Sequence, residues 1–353
     1  MRSDPLQSFN APASPAAPSE AGSSKIIVIS DLADVPAELH GAVVAIGNFD
    51  GVHRGHQAVI ARAEEMAERL GRPVIAMTFE PHPRSYFQPA APLFRLTPSA
   101  AKIHLFQAIG LNGVIVLPFE AHLANMSAED FVRDILVDRL KISGAVVGWD
   151  FHFGHKRQGS PTFLTDAGSR YGFPVEVVEH FDDEGGTTVS SSRIREALGH
   201  GELGLANALL GYRWFVEGVI VDGDKRGRTL NFPTANMKLA PDTALKHGVY
   251  AVTFTVDGVT HMGAANWGRR PQFDNGAPVL ETYVLDFSGD LYGKTVRVGF
   301  VSYLRPELKF DTLDALLTQM SADVEEARAI LSLLEPGSAI DLALTDTIGG
   351  SAR

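Results

Sequence analysis

Cysteine is absent from all 353 residues of this chain. Its absence excludes disulfides, thiolate catalysis and a cysteine zinc ribbon, and it fits a reducing compartment. No apolar run reaches the roughly 18 residues that a membrane span needs. The N-terminus also lacks the charged region followed by an apolar region that is typical of a signal peptide. We therefore expect a cytoplasmic protein.

Basic residues are outnumbered by acidic ones: the chain has 31 Lys and Arg against 42 Asp and Glu, which gives a formal net charge of −11. This balance disfavours non-specific binding to nucleic acid or acidic membranes. The chain has no stripe of interleaved aromatic and basic residues either. We expect no nucleic-acid and no membrane partner. A phosphate ligand would need a local cluster of backbone N–H groups with Arg or Lys.

The distribution of apolar residues predicts two domains between two tails. Residues 1–24 are rich in Ala, Pro and Ser and are expected to be disordered. Over 25–211, strands alternate with helical patterns, which is typical of an α/β domain with a parallel sheet. Over 212–335, short strands between Gly and Asp turns predict a small antiparallel barrel or sandwich. Residues 336–353 resemble a second tail, although 340–344 could fold against something.

The elements follow from apolar periodicity and from capping residues. In the first domain the expected strands are 42–47, 73–79, 113–117, 144–149 and 174–178, and the expected helices lie near 54–70, 98–109, 127–140 and 161–171. In the second domain the expected strands are 214–221, 249–256, 259–265, 279–287 and 295–301, followed by a helix over 313–334. A helical linker over 202–210 joins the two domains. Ligands of open parallel sheets bind at the carboxyl ends of the strands.

The segment from Val43 to His56 is the most informative one in the chain. It begins as a short buried strand, is broken by glycine, asparagine and aspartate, and becomes helical at about Arg54. A strand that turns sharply into a helix presents free N–H groups and a positive dipole end to an anion. His53 and His56 lie at that end, and Gly55 has no Cβ to keep a phosphate away. This pattern suits nucleotidyl transfer from a nucleoside triphosphate.

Two simpler interpretations of this segment remain open. Its turn could be ordinary turn chemistry without a ligand. Alternatively, His53 and His56 could be two ligands of a metal ion, with Asp50 as a third. No further His/Cys cluster at ligand spacing lies nearby in the sequence.

Three further segments carry candidate binding residues. The loop Gly148–Gly159 follows a strand and combines aromatics that can hold a planar ring with cations that can meet phosphate. The segment Ser190–Leu198 opens a helix with hydroxyl caps and could hold a phosphate through its N–H groups and Arg195. The segment Gly223–Asn236 is not a Walker A sequence, but its glycines and cations form a plausible triphosphate nest. Each alone could instead be a plain surface loop or a helix cap.

Taken together, these segments resemble the bifunctional riboflavin kinase/FAD synthetase family of bacteria over roughly 25–334. Gly47–His56 matches the adenylyltransferase signature, and Gly148–Gly159 and Ser190–Arg195 match the second and third motifs of that half. The kinase half matches at Phe232–Asn236, Gly248–Ala251, Gly268–Pro271, Leu280–Glu281, Asp290–Lys294 and Leu304–Phe310. The resemblance implies an α/β Rossmann-like nucleotidyltransferase domain, then a small antiparallel β-barrel riboflavin kinase domain with a C-terminal helix.

For the first domain, the resemblance implies adenylyl transfer from ATP to FMN, giving FAD and pyrophosphate. His53 and His56 would be catalytic and would contact the ATP phosphates. The implied ATP-binding residues are Gly47, Phe49, Asp50, His53, Gly55, His56, Ser191 and Arg195. The implied flavin-binding residues are Asp150, Phe151 and Phe153, of which Asp150 would help to place substrate or Mg²⁺.

For the second domain, the resemblance implies phosphorylation of riboflavin to FMN by ATP. Glu281 would be the general base on the ribityl hydroxyl, and Thr234 and Asn236 would hold Mg²⁺. ATP would contact Gly223, Lys225, Gly227, Arg228, Thr234 and Asn236. The flavin would contact Arg305, Glu307 and Phe310. Riboflavin, FMN and ATP are then the expected small-molecule partners, and a weak homo-oligomer is left open.

Three other functions are compatible with parts of the sequence. The chain could be a riboflavin kinase with a silent first domain, which the intact pair His53 and His56 argues against. It could be a nucleotidyltransferase for another small phosphate, which the second domain argues against. It could also be a flavin carrier without turnover, which would not need Thr234, Asn236 and Glu281 together.

Overall fold

The computed structural model of the chain describes residues 25–91, 93–222, 232–269 and 278–348. The expected N-terminal tail lies outside these residues. So do four of the expected ATP contacts of the kinase, Gly223, Lys225, Gly227 and Arg228.

A parallel sheet forms the centre of the first domain. Its strands are β1 (Ile27–Ile29), β2 (Val43–Ile46), β3 (Val74–Glu80), β4 (Gly113–Pro118), β5 (Gly144–Gly148) and β6 (Val175–Val178). They lie in the order β1-β4-β3-β2-β5-β6, and all neighbours are parallel. The four central strands are largely buried, so they appear in the sequence as continuous apolar runs. The structure confirms the expected α/β domain and adds β1, which the sequence patterns did not indicate.

The strand order also locates a ligand crevice. The chain runs from β2 outward through β3 to β4 and then returns to β5 on the other side of β2. Such a reversal opens a crevice between the carboxyl ends of β2 and β5. The loops that follow these two strands carry the first and second motifs, so the topology brings both motifs to one place.

The helices of the first domain cover the sheet. They are α1 (Arg54–Leu70), α2 (Pro83–Phe87), α3 (Ser99–Ile109), α4 (Ala121–Asn125), α5 (Ala128–Asp130), α6 (Pro161–Tyr171), α7 (Ser191–His200) and α8 (Leu203–Leu210). The expected helix near 127–140 begins as α5, capped by Ser127, and continues as a π-helix over Phe131–Arg139. Short 3-10 turns lie at Leu32–Asp34, Ala37–Leu39 and His155–Arg157.

An antiparallel barrel forms the second domain. Its strands are β7 (Phe215–Val221), β8 (Thr234–Met237), β9 (Gly248–Val256), β10 (Val259–Arg269), β11 (Pro278–Val284) and β12 (Thr295–Arg305). They close in the order β10-β11-β8-β7-β12-β9. Helix α9 (Leu313–Ser332), capped by Thr312, packs Ala327 and Leu331 against the outside of β9 and β10. The barrel and its helix confirm the expected second domain, and β8 is a strand that the sequence patterns did not predict.

The two domains share one continuous core rather than meeting through a polar surface. A single cluster of buried apolar side chains runs from α1 and α3 into the barrel through Tyr212 and Trp214. The Tyr212 hydroxyl donates to the Gly51 carbonyl at 2.6 Å, and Trp214 Nε1 donates to the Leu96 carbonyl at 3.0 Å. These bonds connect the start of the barrel directly to loops of the first domain.

A last helix, α10 (Ala339–Thr345), lies within the expected tail and includes the stretch 340–344 that the sequence analysis left open as a folded segment. Ser338 and Asp341 form a capping box at its start, and Leu344 and Ile348 are 3% and 4% exposed. The buried guanidinium of Arg297 on β12 donates to the Leu344 carbonyl. The helix also packs against α3 of the first domain. The short apolar stretch of this segment therefore folds because it covers the junction of the two domains.

Ending the chain at Glu335 should lower the free energy of unfolding by about 3–5 kcal/mol. The truncation exposes the apolar surface that Leu344 and Ile348 cover, and it removes hydrogen-bond acceptors of Arg297. Thermal unfolding checks this result. The matched control removes only 349–353. Equal unfolding midpoints for the two truncations would show that α10 adds no stability.

Candidate active site

The turn between β2 and α1 has an unusual backbone. Phe49, Gly51 and Val52 have φ values of 50°, 88° and 37°, in the left-handed region that a β-branched residue such as valine rarely adopts. A Cβ at Gly51 would lie 2.9 Å from Leu96 Cδ1, so only glycine fits there. Backbone strain of this kind persists where the surrounding structure holds it, as it does at many functional sites.

His53 and His56 lie together at the start of α1. His53 is the N-cap residue, and its Nδ1 accepts the N–H of His56 at 3.4 Å. The two rings stack with their centres 3.7 Å apart. Because Nδ1 of His53 accepts, the proton of the neutral ring lies on Nε2, where it can be donated to a phosphate oxygen. A Cβ at Gly55 would press on the His53 ring at 3.3 Å, so the glycine leaves room for this histidine.

Burial keeps both rings neutral at pH 7 in the ligand-free chain. It lowers the pKa of His53 to about 4, an effect that Asp50 opposes and Arg195 reinforces. The pKa of His56 lies well below its usual value, mainly through burial and also through His53 and Lys102. In the described part of the chain, no three His, Asp or Glu side chains are grouped as metal ligands.

The carboxylate of Asp50 is 2% exposed and is directed at protein groups. It accepts the backbone N–H groups of Leu96 and Thr97 at 3.2 and 3.1 Å and pairs with the guanidinium of Arg195. Arg195 also donates to the Phe94 carbonyl at 2.6 Å. Both side chains were expected to contact ATP. Their contacts connect α7 to the loop before α3, and the ATP contact stays a prediction.

The third motif reaches the first one through a hydrogen bond. Ser190 caps α7 by accepting the N–H of Arg193, and the Ser191 hydroxyl donates to the Asp50 carbonyl at 2.8 Å. The N-termini of α1 and α7 thus lie beside the same turn. Two helix N-termini facing one place make a favourable anion site.

Replacing Asp50 by asparagine should lower the free energy of unfolding by about 3–5 kcal/mol, because it leaves the guanidinium of Arg195 mostly buried without its anion. Thermal unfolding measures the effect. Asp150→Asn, which changes an exposed carboxylate in the loop after β5, is the control. Equal stability of the two variants would contradict a structural role for the Asp50 carboxylate.

The second motif lies across the crevice, in the loop after β5. Asp150 is exposed, as expected of a residue that meets a substrate. Phe151 stacks on Phe153 with ring centres 5.4 Å apart. Phe153 is only 7% exposed and packs against Phe131 and Phe163 in the core. Phe151 therefore has more surface to offer a ligand, and Phe153 supports it.

A cavity of about 900 Å³ joins the three motifs. Its wall includes residues of the signature turn, the loop after β5 and the start of α7. It also includes a cluster that the sequence patterns did not indicate, Tyr86 and Phe87 of α2 with Phe119, whose ring centres lie 5.2–5.8 Å apart. Phe87 is 64% exposed, which is unusual for a large apolar side chain. The pair of adjacent aromatic residues Tyr86 and Phe87, a few residues after β3 ends at Glu80, was the available signal.

In the barrel, the candidate kinase residues lie on paired strands. Glu281 on β11 lies opposite Asn236 on β8, and Tyr283 lies opposite Thr234. Directly opposed residues of antiparallel strands point to the same face, and so do residues two apart. Thr234, Asn236 and Glu281 therefore share one face of the barrel wall. Asn266 on β10 is opposite Glu281 from the other side.

The expected flavin residues of the kinase lie at the end of β12 and beyond it. Arg305 forms a two-fold ion pair with Asp323 of α9 at 2.6 and 2.7 Å, so it attaches the helix to the barrel. Glu307 Oε2 lies 3.7 Å from His247 Nδ1. A Cβ at Gly268 would lie 1.8 Å from Glu307 Oε1, so this carboxylate rests directly on the glycine. Phe310 is half-buried.

Comparison with known proteins finds a family match for each domain. Residues 35–193 match the family model of FAD synthetase, and residues 210–331 match that of riboflavin kinase. A bifunctional riboflavin kinase/FMN adenylyltransferase of Pseudomonas fluorescens is 41% identical over 304 residues, 86% of this chain and 97% of that protein. The chain belongs to the bifunctional riboflavin kinase/FMN adenylyltransferase family. The member from Escherichia coli K12 is 38% identical over 309 residues, covering 87% of this chain and 98% of that protein.

One solved structure is similar to this chain over both domains. It is described as a macrolide-efflux protein from Streptococcus pneumoniae and is 29% identical, with a TM-score of 0.75 over 86% of this chain and 99% of that chain. No helix among the described residues has the length and apolar character to cross a membrane.

Proposed function

We propose that the two reactions of this bifunctional enzyme are divided between its domains. Residues 212–335 phosphorylate riboflavin to FMN with one ATP. Residues 25–211 transfer the adenylyl group of a second ATP to FMN, giving FAD and pyrophosphate. The observation that carries the proposal is the meeting of three motifs at one cavity of about 900 Å³ beside the N-termini of α1 and α7. We also propose that the chain works in the cytoplasm, since it has no cysteine for an oxidising compartment.

In the adenylyl transfer, the phosphate of FMN attacks the α-phosphorus of ATP and pyrophosphate leaves. The nucleophile is already an anion, so no strong base is needed. The site must align two anions and stabilise the charge that moves onto pyrophosphate. His53 Nε2–H and the free N–H groups of α1 supply donors for this purpose. Gly47 and Gly55 leave room for the rings of Phe49 and His53, which a Cβ at these positions would meet at 3.2 and 3.3 Å.

For the flavin of this site we propose the aromatic side of the cavity. The exposed ring of Phe87, with Tyr86 and Phe119, offers an apolar surface for a planar ring system, and Phe151 faces the cavity from the loop after β5. Aromatic rings gain about 0.5–1.5 kcal/mol from such contacts beyond the burial of area. Asp150 would then meet the polar part of the substrate.

In the kinase reaction, the Glu281 carboxylate accepts the proton of the ribityl hydroxyl while the γ-phosphoryl group is transferred. Thr234 and Asn236 offer neutral oxygen atoms on the face shared with Glu281, a donor set that suits Mg²⁺ held mainly by waters and phosphates. Mg²⁺ would neutralise charge on the phosphates of ATP. The carboxylate stays separate from these ligands as the base.

The decisive experiment is to incubate the purified chain with riboflavin, Mg²⁺ and ATP and to separate the flavins by chromatography over time. FMN that rises before FAD supports both assignments. FMN without FAD would refute the adenylyltransferase assignment. Bound but unconverted riboflavin would favour a carrier.

Binding of ATP to the first domain should take up protons near pH 6. The free His53 has a pKa of about 4 and is neutral there, and a bound triphosphate favours the charged ring and raises that pKa. The uptake should fade toward pH 8.5, where the ring is neutral in both states. Calorimetry in two buffers of different ionisation enthalpy measures it. His53→Asn should reduce the uptake, and an unchanged value would show that His53 does not meet the phosphates.

A further inference from the structure

Lys102 on α3 is a buried cation with a complete set of partners. Its side chain is 1% exposed. Its Nζ lies 2.9 Å from the Asn48 carbonyl oxygen, 3.0 Å from Thr78 Oγ1 and 3.3 Å from Glu80 Oε1. An ammonium group has three N–H donors and no acceptor, so these three contacts use all of them. Burying a charged amine costs free energy unless it is hydrogen-bonded, and the three partners of Lys102 offset that cost.

The contact with Asn48 fixes the peptide between Asn48 and Phe49, at the beginning of the turn between β2 and α1. The Asn48 carbonyl also accepts the Thr78 hydroxyl at 3.0 Å, so both of its lone pairs are used. Asn48 and Phe49 line the cavity and Lys102 does not, so the ammonium group approaches the turn from behind. In a planar trans peptide, the N–H of Phe49 points opposite to this carbonyl and away from Lys102. The strained residues Phe49, Gly51 and Val52 follow directly.

The charges around Lys102 do not cancel. Arg95 forms a two-fold ion pair with Glu80 at 2.7 and 2.9 Å, and Arg195 pairs with Asp50. With Lys102, three cations face two carboxylates in this mostly buried cluster, which leaves one positive charge in excess. A phosphate group in the adjoining cavity would balance it, and the low dielectric of the site would strengthen that attraction.

We propose that Lys102 is a positioning residue of the adenylyl-transfer site. Its ammonium group holds the Asn48 carbonyl, fixes the turn after β2, and so keeps His53 and the start of α1 in place for the ATP phosphates. This inference rests on the proposed function of the first domain. A neutral amine has two donors and a lone pair, so deprotonation leaves one of the three acceptors without a donor and removes the excess charge.

The position of Lys102 makes this role dependent on pH. Burial, reinforced by Arg95, lowers the pKa of Lys102 to about 8, although Glu80 and Asp50 act to raise it. The titratable and charged groups that face it are Glu80 on β3, Asp50 and Arg95 on loops, His56 on α1 and His82 at the N-cap of α2. The pKa of His82 is lowered to about 4 by burial and the nearby arginines, so neither histidine titrates near pH 8. The rate of adenylyl transfer should be at its full value below pH 8, where Lys102 is protonated, and should fall as the pH rises through 8.

The test compares three variants of the full chain between pH 6.5 and 9.5. FAD formation from FMN and ATP is measured together with FMN formation from riboflavin, which serves as the internal control. Lys102→Met removes the ammonium group. Lys102→Arg keeps a charge that does not titrate in this range. Leu105→Ala opens a cavity on the same helix but keeps the Lys102 ammonium group, and so controls for a loss of stability.

We expect wild-type FAD formation to fall above pH 8 while FMN formation shows no matching fall. Lys102→Met should lose at least about tenfold of the FAD rate, since tenfold corresponds to about 1.4 kcal/mol and one lost charged contact costs at least that much. The remaining rate should show no fall near pH 8. Lys102→Arg should keep part of the rate without the fall at pH 8, and Leu105→Ala should keep the fall.

A Lys102→Met variant with the wild-type rate and pH profile would overturn the inference. Equal losses of FAD formation in Lys102→Met and Leu105→Ala, with the fall at pH 8 preserved in both, would also overturn it. That result would show that Lys102 contributes only to the stability of the fold. If the wild-type chain made FMN but no FAD, the proposed function would fail instead. ATP binding by the same variants at pH 7 and pH 9 would then decide on Lys102, with weaker binding by Lys102→Met at pH 7 as the expected result.

Discussion

His53→Ala should abolish FAD formation and leave FMN formation unchanged. The His53 ring caps α1 and offers its Nε2–H to the phosphates, and losing one such charge-stabilising donor costs about 10²–10³ in rate. The candidate kinase residues lie on β8 and β11 of the barrel, so they do not depend on this ring. Chromatography of flavins, started once from riboflavin and once from FMN, measures both rates in one preparation.

The alanine variant removes a helix cap as well as a phosphate donor, and a second variant separates these two roles. Asparagine is among the best N-cap residues, so His53→Asn keeps the cap but has no imidazole. We expect it to fold with near wild-type stability and still to make no FAD. His200→Ala, at an exposed histidine of α7, is the matched control and should keep both activities. If His53→Asn formed FAD at the wild-type rate, the role of His53 would be limited to capping α1.

Local signals explain why so much of this site could be predicted from sequence. The apolar run of β2, the glycines of the turn and the start of α1 are all encoded within 14 consecutive residues, from Val43 to His56. Because β2 and β5 flank the topological switch point, two such local segments meet without any further information. In the barrel, alternation along the strands was enough to place Glu281 on a strand, but its partner strand β8 is only four residues long and escaped the pattern.

The parts that could not be predicted depend on contacts between distant residues. Asp50 is separated by about 46 residues from the N–H groups that it accepts and by 145 from Arg195, and no local pattern encodes such a pairing. Lys102 resembles any helical lysine until the fold buries it against the carbonyl of Asn48. The C-terminal segment resembles a tail in composition, and its helix α10 is stabilised by Arg297 and α3, which are distant in sequence.

Glu281→Gln should abolish FMN formation from riboflavin while FAD formation from added FMN continues. Glutamine keeps the shape of the side chain and its place opposite Asn236, but it cannot accept a proton from the ribityl hydroxyl. A positioned general base contributes about 10²–10⁴ to a rate. Continued synthesis of FAD from added FMN would show that the chain is folded, since the two domains share one core. The result should be the reverse of that for His53→Ala.

Two further variants make this result specific to the carboxylate. Glu326→Gln changes an exposed carboxylate of α9 and should leave both activities intact. Thr234→Val removes a proposed ligand of Mg²⁺, so it should raise the Mg²⁺ concentration needed for FMN formation, whereas Glu281→Gln should remain inactive at any Mg²⁺ concentration. If excess Mg²⁺ restored Glu281→Gln, the carboxylate would be a metal ligand rather than the base. Because Glu281 lies directly opposite Asn236, these two roles are close in space, and only the response to Mg²⁺ separates them.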